Sequence, residues 1–296
     1  MELLEQAAIG LIAGLLGGML GVGGSIVIIP GLILYLDQTG GYSGSDQHLI
    51  QAAAMICNVF VAAPSVLAHL RAEAVMGSVV RILIPTALVG IFSGVAVSNS
   101  SSFARENGVY LAMILAAFLL YVAIYNGVRL FGHTDLEKTF DADKRIPIWR
   151  ITAVGIPMGF LAGLLGIGGG ALAVPIQQLV LRLPLRRAIA NSAVTIVAVS
   201  CVGAIHKNLT LPSHGISILA SAQLAAMLIP TAMIGSYLGG RLTHRLSRRA
   251  LRVVFIVFLT TMAYLTFSRA WNATTSPPGT ASQSTSGLYP TAGTAC

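Results

Sequence analysis

The sequence predicts an all-α integral membrane protein built from two inverted repeats, each a re-entrant broken-helix hairpin followed by three transmembrane helices. Three observations lead there. Of the 296 residues, 55% are hydrophobic and only 9% charged, where a soluble domain carries roughly 25% charge. Apolar runs that approach or exceed the roughly 20 residues needed to span a bilayer fill most of the chain. A glycine-proline signature also occurs twice, as Gly21-Val22-Gly23-Gly24-Ser25 with Pro30 and as Gly166-Ile167-Gly168-Gly169-Gly170 with Pro175.

The apolar runs are 7–36, 49–68, 76–97, 109–131, 150–181, 187–206, 213–238 and 250–269. The first carries acids ahead of it, Glu2 and Glu5, and no small-residue cleavage site after it, so it reads as a retained segment and not a signal peptide. It also holds the first signature. Clustered glycines followed by a short apolar run and Pro favour a turn out of one helix and into another; a kinked continuous helix is the plainer alternative. Gly10, Gly14 and Gly18 recur every four residues ahead of the break, as do Gly155, Gly159 and Gly163 in the run 150–181. Such ridges let a neighbouring helix approach closely, so these six glycines are assigned to packing.

At an offset of 145, nine residues between Gly10 and Pro30 match their counterparts between Gly155 and Pro175, which makes the chain a duplication. A weaker alignment at 137 pairs His69 with His206. The halves are 1–131 and 150–269. The charged stretch 132–149 is a cytoplasmic linker, and 270–296, rich in Ser, Thr, Gly and Pro from Asn272 on, reads as a disordered tail.

Charge placement chooses between kink and hairpin. With eight full crossings the 18 Lys and Arg divide nine and nine, leaving the positive-inside rule unsatisfied. With each signature at the tip of a hairpin of two half-helices, of roughly 12 to 16 residues each, only Arg105, Lys207 and Arg269 fall on the far side. Each half then crosses three times, so the second is inverted and both termini are non-cytoplasmic. The cluster Arg241, Arg245, Arg248, Arg249 and Arg252 serves as an orientation signal and a contact for anionic lipid.

Broken helices in inverted repeats hold transporter substrates near the bilayer midplane. The helices restarting at Ser25 and Gly170 present amide hydrogens and a positive dipole end, which attract anions. Gly21, Gly23, Gly24, Ser25, Gly166, Gly168, Gly169 and Gly170 are therefore candidate substrate contacts. None of the ten carboxylates lies in the middle of an apolar run, which argues against a cation pump or a buried Asp or Glu proton relay. Asn58, Asn191, Ser192 and Thr195 either face a central cavity or bond neighbouring helices. Of Gln177 and Gln178 at most one reaches a shared site, and Gln177 is the candidate. His69 and Arg71 anchor the end of their segment or capture an entering anion. Arg81 is placed to snorkel outward.

Taken together, the paired G-x-G-G-[GS] segments ending in Pro30 and Pro175, the helices after them and His69-Leu70-Arg71 resemble the TauE/SafE sulfite exporters, also called the toluene sulfonate uptake permease family. The resemblance covers nearly everything outside linker and tail. It implies a bacterial inner-membrane carrier for sulfite or organosulfonates such as sulfoacetate. Ala190-Asn191-Ser192 lies where such proteins often carry small and hydroxyl residues. The second copy departs from the pattern, since His206 is followed by Lys207-Asn208, which sets the two ends apart; His69, Arg71 and His206 are the candidate gate or anion-entry residues.

The expected partners are a small anionic substrate and membrane lipid, with a homodimer left open and no nucleic acid, since the net charge of +8 lies in short loops. No cofactor is expected. Cys57, Cys201 and Cys296 have no paired spacing, so neither a disulfide framework nor a metal site is expected. A passive anion channel, or a carrier of another small anion, is the runner-up. An enzyme is disfavoured because no nucleophile, base and orienting acid gather at membrane depth.

Overall fold

Glycine and proline decide where the helices of this chain stop. A computed structural model describes residues 2–39, 46–103, 105–131, 146–243 and 248–275. Most of the linker, the 40–45 loop and the tail beyond 275 lie outside the described residues. The helices are α1 (Glu2–Leu20), α2 (Ser25–Thr39), α3 (Asp46–Arg71), α4 (Gly77–Ser98), α5 (Val109–Phe131), α6 (Ile148–Leu165), α7 (Gly170–Val180), α8 (Leu185–Thr210), α9 (Ile218–Thr243) and α10 (Arg248–Thr275). Short 3₁₀ turns follow α4 and α8.

Both signatures break the helix, as expected. Gly21, Gly23, Gly166, Gly168 and Gly169 all take φ between +62° and +80°, a region that costs an ordinary L-residue about 1–2 kcal/mol. Behind the first break the chain folds back, because a methyl group on Gly31 of α2 would lie 2.9 Å from Ile9 of α1. Gly169 likewise packs over Met158 and Ala162 of α6. The outgoing arms, α1 and α6, have 19 and 18 residues, more than the expected half-helices. The polar start Glu2–Gln6 is made of good helix formers, and Pro147 caps α6 ahead of the apolar run. α8 runs on to Thr210 and α10 to Thr275, each past the end of its apolar run.

The glycine ridges do what their spacing predicts. Cβ atoms added to Gly10, Gly14 and Gly18 would collide in turn with Leu228 and Thr231, Ala232, and Ser236 of α9. Those added to Gly155, Gly159 and Gly163 would collide with Leu83 and Thr86, Ala87, and Ile91 of α4. Gly90 and Gly94, and Gly235 and Gly239, return the same close approach from the other side. The register advances together in each pair, so α1 runs parallel to α9 and α6 parallel to α4. By contrast, α3 and α8 are antiparallel, since His48 meets Lys207 and Met55 meets Gly203.

Polarity is distributed inside out relative to a soluble protein. Gln51, Asn58, Asn191, Ser192, Thr195, Ser200 and Lys207 are buried, while Val89, Phe92, Ile124, Val128, Ile234, Val257 and many other large apolar side chains are exposed. Such a surface suits lipid and not water. Among the described residues six helices, α3, α4, α5, α6, α8 and α9, are long and apolar enough to cross a membrane. This is a multi-pass membrane protein.

Candidate functional site

The two breaks meet. A side chain on Gly170 would fall on the backbone carbonyl of Val22, so the start of α7 is seated against the first break. Asn58 of α3 stands between them. Its Oδ1 accepts the Ser25 backbone N–H at 2.9 Å and its Nδ2 donates to Ser25 Oγ at 2.8 Å, and the same amide closes over Gly168 of the second break. Thus the N-terminus of α2 is capped, with Asn58 supplying the acceptor that helix starts need.

The N-terminus of α7 differs. Gly169 is its cap residue, and a glycine has no side chain to accept from the first amides. Beside it Ser200 Oγ would lie 2.6 Å from a Cβ on Gly168. That hydroxyl is buried and has no hydrogen-bond partner. An unpaired buried hydroxyl thus lies beside a helix start that presents backbone amides. Among the described residues no Asp or Glu is buried.

A scan against family models matches residues 6–266 to "Sulfite exporter TauE/SafE". The chain belongs to the TauE/SafE sulfite exporter family. Relatives include "Probable membrane transporter protein YunE" of Bacillus subtilis, 27% identical over 88% of this chain and 95% of the relative. A membrane transporter protein named MJ0441, of Methanocaldococcus jannaschii, is 26% identical over 86% of this chain and 91% of its own. MamO of Magnetospirillum gryphiswaldense is 27% identical over 88% of this chain, which spans only 44% of MamO. No solved structure matches.

The remaining sequence-named residues are placed as follows. Gln177 Nε2 donates to Ser192 Oγ at 2.8 Å, joining α7 to α8, and Gln177 Oε1 is left unpaired. Asn191 Oδ1 accepts the Met76 N–H at 2.8 Å, holding the start of α4, and its Nδ2 is unpaired. Thr195 bonds back to Asn191 O within α8. Gln177 and Asn191 thus tie helices together and each keeps an unpaired polar atom, while Thr195 bonds its own helix. Gln178 is buried, and Arg71 and Arg81 are exposed. His69 lies two residues from the end of α3. His206 faces Phe92, ring centroids 5.3 Å apart, with Nδ1 unpaired. The structure thus gathers Ser25, Asn58, Gly168 and Gly170 at the breaks, and separately joins Gln177 to Ser192.

Sequence reasoning missed Ser200, a third hydroxyl in the run 187–206 after Ser192 and Thr195, and the burial of Lys207. The wholly buried Lys207 Nζ donates to Ser98 Oγ at 2.7 Å, Asn99 Oδ1 at 2.8 Å and His48 Nδ1 at 3.0 Å. Burial of its neighbours Ser98 and His48 was equally hidden, because both sit at the edges of apolar runs.

Proposed function

We propose that this chain is a secondary transporter of a sulfur-containing oxyanion, sulfite or a sulfonate such as sulfoacetate, in the bacterial inner membrane. The anion is held where the two breaks meet, by the α7 amides and Ser200 Oγ. One observation carries this reading: the glycine-capped α7 N-terminus and the unpaired, buried Ser200 hydroxyl both flank Gly168. Glycine at position 168 lets the Asn58 amide and the Ser200 hydroxyl close on the backbone, and oriented donors in a site of low polarity need little reorganisation to receive an anion. Asn191, whose Nδ2 is a spare donor, and the bonded pair Gln177 and Ser192 are further candidate contacts.

The architecture we propose is two inverted repeats with re-entrant hairpins. The fold-back of α2 along α1, the parallel pairs α1/α9 and α4/α6 and the antiparallel pair α3/α8 support it. The two halves exchange partners, with α1 on α9 and α6 on α4 through equivalent glycines, as a two-fold relation requires. Rocking of one half against the other would expose the breaks alternately to each side. The loop after α2 and both ends of the chain then lie outside, with the linker in the cytoplasm.

The test is thermal unfolding of the purified protein with methanesulfonate, sulfoacetate, sulfite, sulfate and chloride added separately. Ligand binding to the native state raises stability with the ratio of concentration to Kd. Stabilisation by a sulfonate or sulfite is expected; stabilisation by cations alone would overturn the reading.

A further inference from the structure

The geometry points to a second anion-binding station, built by Lys207 with Ser98 and Asn99, for the singly charged oxyanion group of the transported substrate. It rests on the reading that the chain carries anions. Lys207 lies at the end of α8, enclosed by the start of α3, the end of α4 and the 3₁₀ turn Leu211–His214. An ammonium only donates, so His48 Nδ1 accepts and its Nε2–H donates to the Phe103 carbonyl at 2.9 Å. His48 is therefore neutral, and the ring of His214 stacks on it at 3.9 Å. The three acceptors satisfy the hydrogen bonds of Lys207, but none carries the negative charge that a buried cation ordinarily needs. Lys207 forms no ion pair among the described residues.

A monoanion would neutralise that charge, whereas a dianion would leave an excess. Ser98 and Asn99 can supply the remaining contacts. Each has a donor besides the acceptor now facing Lys207: Ser98 Oγ–H donates to Gln51 Oε1 at 3.3 Å and Asn99 Nδ2 to Thr210 Oγ1 at 2.8 Å. Gln51 in turn donates to the Leu164 carbonyl at 3.3 Å and packs under Gly166. The station is thus linked through two side chains to the second break, on the route between that break and one end of the bundle.

Isothermal titration of the full purified chain with sodium methanesulfonate, at constant ionic strength, tests it by stoichiometry. Two anions per chain are expected for the wild type and for Lys207→Arg, and one for Lys207→Met; Ser200→Ala should lose the other. If Lys207→Met binds as many anions as the wild type, the station is wrong while the transport reading stands. If the wild type binds none, both fall. Should Lys207→Met fail to fold, Asn99→Ala keeps the charge and removes one contact. It should weaken one of the two binding events about tenfold, roughly 1.4 kcal/mol, and an unchanged isotherm would overturn the proposal.

Discussion

Replacing Ser200 by alanine should move folding stability and anion affinity in opposite directions. Ser200 Oγ is buried without a partner in the unliganded protein. Its removal breaks nothing and relieves an unsatisfied polar group, a penalty of about 1–3 kcal/mol. The ligand-free protein should therefore unfold at the same temperature as the wild type or above it. If the hydroxyl donates to a bound anion, however, its loss removes a hydrogen bond to a charged group, worth about 1.5–3 kcal/mol. At about 1.4 kcal/mol per decade, affinity should fall roughly 10- to 100-fold. Asn58→Ala is the control with the reverse sign. Both bonds of Asn58 are spent on Ser25, so this variant leaves the Ser25 amide buried and bare and should lose about 1–3 kcal/mol without ligand. Thermal unfolding over a methanesulfonate or sulfite titration reads both quantities. Wild-type affinity in Ser200→Ala, or a fall in its ligand-free stability like that of Asn58→Ala, would refute the assignment of the hydroxyl to the anion.

Three further outcomes are expected. Gly159→Leu drives a side chain into the Ala87 carbonyl, beyond the usual overpacking cost of about 1–3 kcal/mol, and should abolish recovery of folded protein. Gly127→Ala, which meets nothing within 4 Å, should stabilise by about 0.5–1 kcal/mol, and both are read by fluorescence-detected size exclusion and melting. For topology, single cysteines placed in the 132–145 linker and in the 40–45 loop, with the native cysteines replaced, should react with impermeant reagent from opposite sides of the membrane. Labelling from the same side would exclude inverted repeats.

The helix breaks were legible because glycine at positive φ is a backbone requirement written directly in residue type. The ridges Gly10-Gly14-Gly18 and Gly155-Gly159-Gly163 were legible for a similar reason, since close packing has few substitutes for a missing side chain. Their docking surfaces were also written in the sequence: Leu83-Ile84-Pro85-Thr86-Ala87 and Leu228-Ile229-Pro230-Thr231-Ala232 are identical, at the same offset of 145 as the breaks. A shift of register in the helices between them hid this match. Those intervening helices carry a different relation, since Gly21 packs on Ile189 where Gly166 packs on Gln51.

Lys207 was misread because the apolar run ends at His206 and a charge beyond it looks like loop. The helix continues to Thr210, and antiparallel packing of α3 against α8 folds His48 over the lysine. Ser200 was illegible for another reason: nothing local distinguishes a hydroxyl that bonds its own helix, as Thr195 does, from one aimed at a neighbouring break.

Uptake of labelled sulfoacetate and sulfite into proteoliposomes tests the central claim most directly, using vesicles preloaded with the unlabelled anion or left empty. A carrier that holds the anion between its two breaks predicts saturable uptake, accelerated by internal anion and reduced in Ser200→Ala. Flux that rises linearly with concentration and ignores the preload would make the protein a channel, and the absence of flux with any sulfur oxyanion would contradict the proposed substrate class.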